Sequence, residues 1–150
     1  MPTIYIDADA CPVKAEVVRV GERHGVEMIF VSNAWMRLLE WPLIKRRIVD
    51  AGPDAADDWI AENVIAGDVV ITADIPLAAR AVKAGASVIA PDGKRLTGTN
   101  IGMAIAMRNL MTDLREANTI QTYNAAFTPR DRSNFLQALE QVVSAARRRR

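Results

Sequence analysis

Three aspartates stand where short apolar runs stop. Thr3 to Ile6 leads into Asp7-Ala8-Asp9-Ala10-Cys11-Pro12, and Val69 to Thr72 leads into Ala73-Asp74-Ile75-Pro76. Short runs of Ile and Val bounded in this way read as buried strands, and the Pro after each reads as a helix start. In an open parallel α/β sheet, ligands sit beyond the carboxyl ends of the strands. Asp7, Asp9 and Asp74 are therefore expected on one edge of one sheet. Carboxylates gathered there repel, and the partner suited to them is a hard cation such as Mg²⁺ or Mn²⁺, which takes oxygen ligands and keeps several waters. Two such ions can activate a water and stabilise the leaving oxygen of a phosphodiester. That chemistry requires neither a His nor a nucleophilic Ser.

A second acidic group lies in Asp54-Ala55-Ala56-Asp57-Asp58-Trp59-Ile60. Asp54 can cap a helix, and Asp57 and Asp58 fall in its first turn, where the macrodipole favours negative charge. Helix capping is the plain reading of the pair. The functional one places Asp57 and Asp58 beside the strand-end aspartates, with Ala55 and Ala56 small enough for close approach.

The elements that must position these groups alternate. A strand at about 3–7 precedes a helix from Pro12 to about His24, which Gly25 ends. Val26 to Val31 reads as a strand closed by Ser32 and Asn33. The stretch 34–48 fits a short helix plus a strand. A helix from Ala55 to about Ala66 follows, then the strand Val69 to Thr72, a helix from Pro76 to near Gly85, and a strand Ser87 to Ala90. Two longer helices complete the chain, from Asn100 to Ala117 and from Pro129 to Arg147. Alternation of this kind gives a mostly parallel sheet with helices on both faces, a three-layer α/β sandwich. The 150 residues fit one domain.

Several basic residues are placed to meet phosphate. Lys14 lies in a first helical turn. Lys45, Arg46 and Arg47, with Arg37, surround Trp35 and Trp41, an interleaving that suits single-stranded nucleic acid and equally suits an ordinary amphipathic element. Asn33 closes a strand at the expected site edge. Lys94 and Arg95 precede a helix entry able to receive phosphate, although Thr99 or Asn100 as a simple cap explains that entry. Formal net charge is +1, and four of the positive charges are Arg147 to Arg150. Without them the body carries about −3, which argues against a globally basic nucleic-acid binder. The four arginines read as a solvated, disordered tail. Cys11 is the one cysteine, so no intrachain disulfide is possible, which fits a cytoplasmic setting. It reads as a small packed residue, and His24 as a helix C-terminal cation. No apolar run approaches the roughly 20 residues that span a bilayer.

Asp54 to Ala61, followed by Ile71-Thr72-Ala73-Asp74, resembles the Ala-Asp-Asp helix start and Thr-x-Asp strand end of flap and 5′-exonucleases, members of the PIN-like superfamily. Asp7 matches that superfamily's first metal-binding aspartate. Where those nucleases carry a Glu, this chain has Ala55 or Ala56, with Asp9 as the substitute. Nearly the whole chain resembles the bacterial YaiI/YqxD family, through Ile6 to Lys14, Asp54 to Ile60, Gly67 to Ala79 and Asn100-Ile101. Gln121 to Ala126 departs from that family's Gly- and Pro-rich segment before Asp131-Arg132. The resemblance implies a PIN-like fold. A metal-dependent nuclease acting on RNA rather than DNA is the activity expected of it. Asp7 and Asp74 would be the primary ligands, with Asp9, Asp57 and Asp58 completing the shell. Two readings compete. One is a non-catalytic protein that binds nucleic acid or another partner. The other is a haloacid-dehalogenase-type phosphatase with Asp7 as nucleophile and Asp9 as acid–base, for which the later acidic pair stands in the wrong order.

Overall fold

The computed structural model describes residues 2–35, 37, 38, 40–50, 52, 54–116 and 127–148, with side chains undescribed at 10, 108 and 111–116. In chain order the elements are β1 (Thr3–Asp7), α1 (Lys14–His24), β2 (Glu27–Ser32), β3 (Ile44–Ile48), α2 (Ala55–Asn63), β4 (Val69–Ile71), α3 (Ile75–Lys83), β5 (Ser87–Ile89), β6 (Arg95–Leu96), α4 (Ile101–Glu116) and α5 (Pro129–Arg148). A single 3₁₀ turn, Ala8–Ala10, links β1 towards α1.

The strands form one sheet in the order β3-β2-β1-β4-β5-β6, parallel throughout except for the antiparallel β5–β6 pair. From β1 the chain winds outward to β2 and β3, then returns to β4 on the other side of β1. The switch in winding direction therefore falls between β1 and β4, where doubly wound sheets open a crevice for ligands.

Side-chain alternation builds the two cores. Ile4, Ile6, Met28, Phe30, Val69 and Ile71 face α1 and α5, whose Val17, Val20, Phe135 and Leu139 meet them. Tyr5, Val31, Val70 and Val88 face the opposite layer, where Ala56 and Ile60 of α2 and Leu77, Ala78 and Ala81 of α3 pack. Because both faces are covered, the central strands are apolar almost continuously. The result is the three-layer α/β sandwich expected.

Boundaries differ where tertiary contacts decide them. Helix α1 begins at Lys14, after Pro12, and closes on Gly25 at φ 65°. Helix α2 stops at Asn63, because Val64 is extended (ψ 139°) and turns towards β4. Between Ala34 and Ile48 the described residues contain no helix, and the strand is Ile44–Ile48. The two-residue strand β6 has no sequence signal of its own. Its hairpin turn holds Gly93 at φ 93°, where a Cβ would approach the Asn134 carbonyl carbon of α5 to 2.6 Å. The basic tail is corrected in part: α5 continues through Arg147 and Arg148, and Arg147 Nη1 lies 2.9 Å from His24 Nδ1. Arg149, Arg150 and the Gln121 to Ala126 segment lie outside the described residues. Among the described residues no helix is long and apolar enough to cross a membrane.

Candidate functional site

Asp7 is the last residue of β1 and points to the same face as Tyr5, towards α2 and α3. Thr72 follows β4, the strand next to β1, and is 2 % exposed. Its hydroxyl donates to Asp7 Oδ2 (3.0 Å) and accepts from the Asp74 backbone N–H (3.0 Å). One buried hydroxyl thus sets the first aspartate against the backbone of the second. Asp74 caps α3, its Oδ1 accepting from the Leu77 N–H at 2.9 Å, with Pro76 in the first turn. Asp57, from the first turn of α2, completes a group of three.

The charges of this group are mutually unfavourable. Burial pushes the Asp7 carboxyl above the usual range, the Thr72 bond opposes the rise, and the charges of Asp74 and Asp9 add to it. Burial also heads the causes at Asp57, reinforced by the charges of Asp74 and Asp7, a hydrogen bond to Asp74 and the charge of Asp54. Together they push Asp57 up to about 7. Below about pH 7 Asp57 therefore tends to keep a proton that it can donate to Asp74, which lowers the negative charge of the crevice.

The expected five-carboxylate shell does not assemble. Among the described residues, no three His, Cys, Asp or Glu side chains are arranged to hold an ion together. Asp58 turns outward to Arg80 of α3, at 2.7 Å. Asp9 is exposed, and both its oxygens accept from the Asn33 N–H, at 3.0 and 3.2 Å. Asn33 also donates from Nδ2 to the Gly52 carbonyl (3.1 Å). Its polar groups therefore hold Asp9 and the approach to α2, rather than standing open to a substrate. Asp54 precedes α2 without a side-chain capping bond.

The basic residues disperse around the site. Lys14 Nζ donates to the Cys11 carbonyl at 2.8 Å, which draws it back onto its own turn. Burial pushes the Cys11 thiol up, away from nucleophilic use, in keeping with a packed small residue. Arg46 and Arg47 part company. Arg47 is level with Val31, which is level with Asp7, so it shares the face of Asp7 two strands away, about 10 Å. Arg46 is level with Phe30 and belongs to the α1 face. Both lie on an edge strand, where charged residues also discourage pairing with another chain. Arg95 lies three strand spacings from β1, about 14 Å, and Lys94 sits in the hairpin turn before it. The α4 entry is a reciprocal Thr97–Asn100 pair: Asn100 Oδ1 accepts from the Thr97 N–H (2.8 Å), and the Thr97 hydroxyl accepts from the Asn100 N–H (3.3 Å).

Two residues that hold members of the acidic group stand outside the candidates named from sequence. Thr72 was visible as part of a Thr-x-Asp pattern, but its bridging role needs β1 beside β4. Arg80 lacked any local signal. The donors that do gather, Asp7, Asp57 and Asp74, supply only carboxylate oxygens, the donor type that hard divalent cations take, but as they stand the three are not arranged to share one ion.

Fold and site together define a three-layer α/β protein with a carboxylate group at the switch point of its sheet. The chain belongs to the YaiI/YqxD family, whose model, described as "Uncharacterized BCR, YaiI/YqxD family", matches residues 5–145. It is similar along nearly its whole length to proteins called "UPF0178 protein". One from Nitrobacter winogradskyi is 57% identical over 145 residues, 97% of this chain and 92% of the relative. One from Parvibaculum lavamentivorans is 54% identical over 149 residues, 99% and 98% of the two chains. No solved structure matches the chain significantly.

Proposed function

We propose that this chain is a PIN-like, divalent-metal-dependent nuclease that hydrolyses phosphodiesters, with RNA preferred to DNA. The observation that carries the reading is the gathering of Asp7, Asp74 and Asp57 at the β1–β4 switch point, where the Thr72 hydroxyl joins Asp7 to the Asp74 backbone and burial with the charges of Asp74 and Asp7 pushes Asp57 up. Perturbed carboxylates in a crevice are where catalytic chemistry concentrates.

Asp7 and Asp74 would be the primary ligands of Mg²⁺ or Mn²⁺, with Asp57 beside them. When bound, such an ion supplies a Lewis acid and an activated water for attack at phosphorus. The chain's own residues do the rest. Thr72 orients Asp7, the α3 cap orients Asp74, and Asp57 releases its proton when positive charge replaces it. Arg47, on the face of Asp7, contributes to positioning the backbone phosphates of the strand. A single cysteine and the absence of a membrane-crossing helix among the described residues favour work in the cytoplasm.

The test is cleavage of a labelled single-stranded RNA, and of the matching DNA, with Mg²⁺ or Mn²⁺ and with chelator. Asp7→Asn and Asp74→Asn are each expected to abolish metal-dependent cleavage while keeping the native circular-dichroism spectrum. Equal cleavage by wild type and Asp74→Asn overturns the reading. A second reading, a non-catalytic binding protein, is favoured by one observation: no three acidic side chains among the described residues are arranged to share an ion. RNA binding without any metal-dependent cleavage selects it.

A further inference from the structure

Two tryptophans carry a guanidinium over the ring. Arg46 Cζ lies 5.6 Å from the Trp35 centroid, and Arg47 Cζ lies 5.5 Å from that of Trp59. The rest of their surroundings differ. Trp59 packs against the α2–α3 core and meets the Tyr5 ring at 6.0 Å and 56°. Trp35 is 66 % exposed.

A single exposed tryptophan is unremarkable on any surface. Trp35 differs in its placement and in how it is held. It follows Asn33 by two residues, a span of at most about 7 Å, and the Asn33 N–H is bound to Asp9. Trp35 therefore leaves the sheet at its carboxyl end, with its indole under Arg46, which belongs to the α1 face. Its loop is tied on both sides. The Ser32 hydroxyl donates to the Ala34 carbonyl (2.7 Å), and Arg46 Nη2 donates to the Leu38 carbonyl (3.1 Å). Arg46 Nη1 also lies 3.8 Å from the exposed Glu40. These ties hold the guanidinium over the ring before any ligand arrives, which lowers the ordering cost of binding. An indole backed by a cation and otherwise open to solvent suits a nucleobase.

We infer that Trp35, backed by Arg46, stacks an unpaired base of a single-stranded RNA whose backbone crosses the carboxyl edge towards Asp7 and Asp74. The inference rests on the nuclease reading for its class of ligand and adds a selection for single strands. Bases within a duplex are already stacked on one another and are not free to meet the indole.

Binding of a fluorescein-labelled single-stranded RNA, and of the same sequence as a duplex, is measured by anisotropy in chelator, which suspends metal-dependent cleavage. Trp35→Ala is expected to weaken single-strand binding about 5- to 150-fold, the range for loss of one base stack. Trp35→Phe retains most of the binding, and duplex binding is the same in all three proteins. The single strand quenches wild-type tryptophan fluorescence. Trp35→Phe loses most of that quench, whereas Trp41→Phe keeps it. Unchanged single-strand binding by Trp35→Ala overturns the inference, as does an equal loss on the duplex or no binding by the wild type. If cleavage depends on Asp74 but Trp35→Ala binds normally, the stacking role fails and the nuclease reading stands. If Trp35 governs binding and Asp74 governs no cleavage, the nuclease reading fails and the stacking role stands.

Discussion

Asp57→Asn is the substitution that most directly probes the carboxylate group. The folded-state carboxyl is raised from 3.8 to about 7. Between those values the unfolded chain has released this proton and the folded chain keeps it. Folded protein then binds more protons than unfolded, so stability falls as pH rises, and above about pH 7 the loss is complete. At about 1.4 kcal/mol per pH unit the full rise corresponds to about 4 kcal/mol. Asp57 is only half-buried, and solvent screening reduces this to about 1–2 kcal/mol. Asparagine is neutral at every pH, matches the shape, and can still donate to Asp74. Asp57→Asn is therefore expected to melt above wild type by about 2–8 °C at pH 8 in chelator. The two melting temperatures converge as pH falls through 3.8, below which the aspartate is protonated in both states. The measurement is thermal unfolding by circular dichroism across that range. A variant that melts at or below wild type at pH 8, or a difference that does not change with pH, refutes the reasoning.

Mg²⁺ or Mn²⁺ at about ten times its dissociation constant is expected to stabilise the wild type by about 1.4 kcal/mol at pH 8. Melting in chelator and in metal checks this, and Asp74→Asn should show no such response. Thr72→Val keeps the volume but removes the hydroxyl between Asp7 and the Asp74 N–H. A loss of about 1–3 kcal/mol is expected in urea unfolding, and unchanged stability would mean the bridge contributes nothing. Gly93→Ala places a Cβ against the Asn134 backbone at a positive φ, and a loss of about 1–3 kcal/mol is expected in the same assay.

The site was legible wherever chemistry coincided with a local pattern. Asp7 and Asp74 stand at the ends of apolar runs, and a run that stops at a carboxylate before a helix start marks a strand end from sequence alone. Pro76 and Gly25 carried the same kind of information, because their backbone restrictions act on immediate neighbours. Alternation of strands and helices was sufficient for the layer architecture. Lys94 and Arg95 were harder. Strand β6 is two residues long, and such a segment exists only because β5 offers it a partner.

What the sequence alone determined, then, is which residues end strands and open helices, since these follow from backbone preference and periodicity over a few positions. Tertiary structure alone decided which charges meet. Arg46 and Arg47 are adjacent in sequence and read as one basic patch, but in a strand they point to opposite faces, and only pairing with β2 shows which one joins Asp7. Asp57 and Asp58 are neighbours about 100° apart on a helix. Packing of α2 against α3 sends one to Asp74 and the other to Arg80. Asp9 is taken up by Asn33, 24 residues away. Electrostatic partners are chosen by distance in space, and folding brings together groups whose separation along the chain bears no relation to that distance.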